Sequence, residues 1–128
     1  MKFLFILLLI PTFAFSFDCV DEREITVEKN ALISFCELKN INVDLKCASD
    51  PKKCTLLLDL KKRSKALTDK QVVSPNSLVG TNGSHACQVL GWTVLMGVMF
   101  DGSQVCTCKH PQGSFITCSS LDEYFRYR

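Results

Sequence analysis

The eight cysteines constrain this 128-residue chain more than any other feature. They are Cys19, Cys36, Cys47, Cys54, Cys87, Cys106, Cys108 and Cys118, and all follow an apolar leader. An even number in a short exported chain reads as a disulfide framework, because oxidising compartments convert paired thiols to bridges. The cysteines split four and four around the cysteine-free stretch 55–86. That split predicts two stapled halves, with every bridge confined to its own half. Cys106 and Cys108 are two apart, so on a strand they share a face and cannot easily bond to each other. Each then needs a separate partner, and Cys87 and Cys118 are the candidates. A bridge between Cys47 and Cys54 would staple the corner of a hairpin.

The leader is Met1–Ser16. Lys2 gives a positive start, Phe3–Ile10 is an unbroken apolar run, and Ala14-Phe15-Ser16 places small residues where a signal peptidase reads. The run is shorter than the roughly 20 apolar residues of a membrane span. Cleavage after Ser16 is therefore expected, with Phe17 as the new first residue. Cys19 follows Phe17-Asp18, and an acid there does not suit lipidation. Removing the 16 residues leaves 112, enough for one domain or two small subdomains. Loss of Lys2 lowers the net charge from +2 to +1, which argues against a general polyanion binder. A secreted or periplasmic chain is the expectation.

Residues 17–61 read as a β meander. Ile25-Thr26-Val27-Glu28 alternates, Ala31–Leu38 is a mixed apolar run, and Asn40–Cys47 alternates with Ile41, Val43, Leu45 and Cys47 inward. Ala48–Lys53 supplies turn residues. Thr55–Lys61 then reads as a strand with Leu56, Leu58 and Leu60 inward. Residues 62–83 read as a loop and linker.

Residues 84–128 read as a cysteine-rich hairpin unit with a terminal helix. Ser84 suits the start of a short helix through Leu90, and Gly91 suits its end. Trp92–Phe100 is apolar on both faces and reads as a central, doubly buried strand. Asp101-Gly102 signals a hairpin. Gln104–Lys109 and Phe115–Ser119 follow as strands, separated by Pro111–Ser114. Ser120-Leu121-Asp122-Glu123 fits a capping box, after which Leu121, Tyr124 and Phe125 form one apolar face. The fold class expected is mainly β with short helices, a small α+β protein of two disulfide-stapled antiparallel subdomains.

The spacing of Cys87, Gly91, Cys108, Pro111, Gly113, Cys118, Tyr124 and Arg126 resembles a small cysteine-rich bacterial domain of unknown function that carries the label haemolysin. The resemblance covers about the last 40 residues. The sequence departs from that pattern at Trp92 and Gln112 and lacks its closing Gly-Glu-Cys. The label itself implies little mechanism, and the resemblance informs architecture more than function.

Function is less legible than fold. The basic run Lys61, Lys62, Arg63 and Lys65 is the candidate binding group. It reads either as a solvated hairpin end that blunts a sheet edge or as a contact for a polyanion. No aromatic residue lies beside it to stack bases, so nucleic acid is not expected. An enzyme would need a general base, and only His85 and His110 are available. Neither Gly-x-Ser-x-Gly nor His-Glu-x-x-His occurs, so no catalytic residue is assigned. His85, Cys87, Cys106, Cys108, His110, Met96 and Met99 could in principle hold a soft metal, but ligation requires thiolates, and export favours bridges. No metal and no cofactor is expected. The uncharged run Ala86–Phe100 is shorter than a span and is broken by Gly91, so no stable membrane insertion is expected. What remains is a binding or structural module for an unidentified protein or envelope component. The alternatives are a small secreted hydrolase, an enzyme inhibitor or a membrane-active protein. The loops Ala48–Lys53, Ser74–Ser84 and Lys109–Ser114 are its candidate contact points.

Overall fold

The computed structural model describes Cys19, residues 21–28, 30–72 and 82–127. The leader read over Met1–Ser16 and the loop at 74–81 lie outside the described residues. The described chain forms β1 (Arg23–Val27), β2 (Ala31–Leu38), β3 (Ile41–Asp44), α1 (Leu45–Ser49), α2 (Thr55–Ser64), α3 (Asp69–Val72), α4 (Asn82–Val89), β4 (Thr93–Met99), β5 (Gln104–Lys109), β6 (Phe115–Thr117) and α5 (Cys118–Tyr127). It is a small α+β protein.

The six strands close one antiparallel barrel in the order β1-β2-β3-β6-β5-β4. This corrects the expectation of two separate stapled sheets. A three-stranded meander leaves two unpaired edges, and each half here covers the other's. β1 pairs with β4 at Ile25–Met99 and Thr26–Val98, and β3 pairs with β6 at Val43–Ile116. The bridges nevertheless stay inside their halves: Cys19–Cys36, Cys47–Cys54, Cys87–Cys108 and Cys106–Cys118. Four disulfides fit an oxidising extracellular or periplasmic environment. No thiol is left free among the described residues.

Strand alternation divides the apolar residues into two cores. Ile25, Val27, Phe35 and Phe115, with Ile33, Leu95, Met99 and Val105, fill the barrel. The rings of Phe35 and Phe115 meet edge to face at 6.2 Å. Residues of opposite parity point out of the barrel. On the β3-β6-β5 side these are Val43, Ile116 and Cys108, and they pack under Leu56, Leu60, Ala86, Leu90, Leu121 and Phe125 of the helices. The helices thus cover one side of the barrel only.

Thr55–Lys61 is helical, not a strand. Leu56-x-Leu58-x-Leu60 satisfies both periods, but Leu56 and Leu60 lie four apart and are buried while Leu58 is 52% exposed. Leu, Lys and Arg are good helix formers, and the basic residues fall in the last turn, where cations suit the helix dipole. The helix runs to Ser64, so 62–83 is not all loop. β3 also ends earlier than the alternation suggests. The Asp44 carboxylate accepts the Cys47 backbone N–H at 3.3 Å and caps α1. Leu45 is therefore turned outward instead of into the sheet, and the Cys47–Cys54 bridge joins two helices instead of a hairpin. Lys39 and Asn40, both at positive φ, form the two-residue turn between β2 and β3.

The second half follows its punctuation closely. α4 ends at Gly91 with φ 76°, where the Gly91 N–H donates to the Gln88 carbonyl and the Trp92 N–H to that of Cys87, a Schellman closure. Four residues, Phe100–Ser103, connect β4 to β5 around Asp101-Gly102. α5 begins before Ser120, because Thr117 takes the capping position and its Oγ1 accepts the Ser120 N–H at 3.3 Å. Leu121 and Phe125 are buried as the apolar face of α5. β4 is the correction in this half. It is not buried on both faces, since Met96 and Val98 point out where no helix lies.

Candidate functional site

The basic run sits in the last turn of α2, not at the end of a hairpin. Helical geometry places Leu58, Lys61, Lys62 and Lys65 at i, i+3, i+4 and i+7, one outward stripe. All four are exposed. Arg63 leaves this group. It is half-buried, and its guanidinium donates to the Leu90 carbonyl at the end of α4, a common closure of a helix C-terminus. The structure therefore brings three of the four predicted basic residues together, and it adds Leu58, whose outward position a strand reading could not give.

The two histidines do not share a site. The ring Nε2 of His85, on α4, lies 3.1 Å from the Gln71 carbonyl of α3, and its N–H donates there. His110 is buried at the end of β5, and Trp92 meets its ring edge to face at 4.9 Å. The Gln112 backbone N–H donates to Nδ1 at 3.2 Å, so the ring proton resides on Nε2 and is donated to Asp59 at 3.1 Å. Both nitrogens are occupied in clamping the β5–β6 turn to α2.

That clamp brings two of the predicted contact loops together. Ser49, Asp50 and Lys53 from one loop and Gln112–Ser114 from the other line a polar cleft of about 550 Å³. Asp44 lies at its base, with its two oxygens taken by the backbone N–H groups of Phe115, at 3.0 Å, and Cys47. Its carboxylate is thus part of the fold. Lys46, Asp50 and Lys53 give the rim mixed charge.

The side of the barrel centred on β1 is bare. In the closed order β1 stands opposite β6, the strand at the middle of the helix-covered side. Register places Leu32, Thr26, Val98 and Gln104 in one cross-strand row. Met96 and Phe100 flank Val98 along the same outer line. Leu32 is 58% exposed, Met96 57% and Phe100 98%. Glu22 and Glu24 follow the same outward parity on the β1 line, beside Phe100, and Asp101 lies at the hairpin tip. The Ser103 hydroxyl and then its backbone N–H donate to the Asp101 carboxylate and hold its pKa below the ordinary value, so it carries charge at neutral pH. A depression of about 440 Å³ at this end is lined by Glu22, Arg23, Glu24, Met99 and Phe100. Sequence reasoning missed this surface because Trp92–Phe100 carries no charged residue, and its single polar residue, Thr93, lies at the far end of the strand from Phe100.

No family model matches the chain, nor does any curated protein or any solved structure. No described helix is long and apolar enough to cross a membrane, and no described cluster of His, Cys, Asp and Glu could hold a metal ion.

Proposed function

We propose that this chain is an exported disulfide-rich binding or structural module, secreted or periplasmic after loss of Met1–Ser16, and that it works through the bare side of its barrel. One observation carries the reading. An apolar line of Met96, Val98 and Phe100, with Leu32 two strands away across Thr26, stands exposed on a closed, bridge-stapled barrel whose opposite side is covered by helices. Leaving large apolar side chains in water together is costly unless something covers them. β1 pairs with β4 at Val98 and Met99 in the middle of this surface, so recognition there runs through side chains. The hydrolase alternative rests on His85 and His110, and each of these is tied to a different structural partner.

A photoactivatable residue placed at Met96 or Val98, with a control at Gln112 in the polar cleft, tests this in the native host. Crosslinked adducts are expected from 96 and 98 and not from 112. Adducts from 112 alone would move the site to the cleft and overturn the assignment.

A further inference from the structure

We infer that the occupant of the bare side is a second copy of this chain, docked by the outward stripe of its α2. The inference rests on the reading of the bare side as a docking surface. It adds the partner from charge. Glu22, Glu24 and Asp101 border the apolar row; Lys61, Lys62 and Lys65 border Leu58. Among the described residues, none of these six makes an ion pair within its own chain. Each surface is an exposed apolar anchor beside charge that lacks an ion-pair partner and is of one sign; Arg23, the cation among the acids, is already paired with Asp21 at 3.2 Å.

The dimensions agree. Met96 to Phe100 spans about 13 Å of strand, and Leu58 to Lys65 about 10 Å of helix axis. Phe100 projects almost wholly into solvent beside the depression of about 440 Å³ at the Glu22–Glu24 stretch, which has room for a side chain the size of Leu58. Symmetric pairing fails on charge: two bare sides would oppose acid to acid, and two α2 stripes would oppose lysine to lysine. Only bare side against stripe joins unlike charges. The two surfaces lie on opposite sides of one molecule, because α2 belongs to the helix layer over β3-β6-β5. A chain therefore cannot satisfy itself. The contact is heterologous, and each docked copy leaves one of each surface free, so assembly continues past a dimer or closes into a ring. Exposed ion pairs are weak and salt-screened, so assembly needs concentration and falls with ionic strength.

Sedimentation of the oxidised chain across concentration tests this with two variants, each first shown to keep the wild-type circular dichroism. One carries Glu24→Lys and Phe100→Ser, the other Leu58→Ser and Lys62→Glu. Wild type is expected to exceed twice the single-chain mass at high concentration and low salt, and to return to a single chain in about 0.5 M salt. Each variant alone is expected to stay a single chain, and an equimolar mixture to form a one-to-one pair that grows no further. Wild type that stays a single chain throughout would overturn the inference. So would self-association of the α2 variant, although that outcome would keep the bare side as a docking surface with itself as partner. Self-association of the bare-side variant, or a mixture that fails to pair, would overturn it as well. Crosslinks from Val98 to some other protein, with wild type a single chain, would remove the self-docking and leave the proposed function standing.

Discussion

Reduction of the four disulfides is expected to unfold this protein in buffer without denaturant, and chelation to leave it folded. Each bridge fixes a junction that the small core cannot hold alone. Cys19–Cys36 ties the segment before β1 to β2. Cys47–Cys54 sets α1 against the start of α2. Cys87–Cys108 and Cys106–Cys118 draw α4 and α5 onto the two outward cysteines of β5. A native bridge stabilises by about 2–4 kcal/mol, mainly through restriction of the unfolded chain. Total stability for a domain of this size is about 5–15 kcal/mol. Loss of all four removes a comparable amount, and helix docking on the barrel fails with it. Trp92 reports the event, because it is buried against His110 in the layer that Cys87–Cys108 holds. After reduction, Trp92 emission should shift to the red and far-ultraviolet dichroism should lose its native shape, while EDTA changes neither. A native spectrum from protein whose eight thiols all titrate would refute the claim. Among single-bridge Cys→Ser pairs, the Cys87/Cys108 pair should cost most, since it closes the longest loop, with a sequence separation of 21, and both sulfurs are fully buried.

The covalent frame was the most legible part of the chain, because it depends on local facts. Parity, compartment and the spacing of Cys106 and Cys108 on a strand restrict bridges without any knowledge of topology. Gly91, Asp101-Gly102 and the Leu121–Phe125 face were equally legible, since capping and turn chemistry act over a few residues. Leu56-x-Leu58-x-Leu60 was not. Its spacing fits either period, and the choice is made by contacts of Leu56 and Leu60 with residues far along the chain. Asp44 misled for a related reason. It sits in a faultless alternation, yet its carboxylate stops β3 and begins α1. Barrel closure was invisible because the Val43–Ile116 and Ile25–Met99 pairs each span about 70 residues. The bare apolar surface was hidden by the same closure: an uncharged run reads as doubly buried until the topology shows which side the helices leave uncovered.

Gly83 lies in a stretch whose composition reads as loop, yet it is part of α4 and carries the second large expected effect. It opens α4 against the first residue of α5. A methyl group there would lie 1.7 Å from the Cys118 carbonyl oxygen and 2.4 Å from its carbonyl carbon. Those are backbone atoms, so no side-chain rotation relieves the clash. Nor can the helices separate freely, because Cys87 of α4 is bridged to Cys108 and Cys118 of α5 to Cys106, both on β5. Two opposing terms decide the sign. Replacing Gly by Ala in a helix gains up to about 1 kcal/mol of propensity, and less at a helix end. Overpacking a fixed contact costs about 1–3 kcal/mol and more where backbone must shift. With backbone on the far side and two bridges resisting, the clash wins, and Gly83→Ala should lose about 3 kcal/mol. Gly97→Ala is the graded comparison. Its methyl would lie 2.3 Å from Cγ2 of the buried Ile25, a stiff β-branched side chain, so core packing must shift but backbone need not, and the loss should be about 1–3 kcal/mol. The exposed Gln88→Ala in the same helix as Gly83 should be neutral within about 0.5 kcal/mol. Urea midpoints of the oxidised proteins give the order directly. Gly83→Ala as stable as Gln88→Ala would mean that α4 does not approach α5 this closely, and the packing of the helix layer would have to be redrawn.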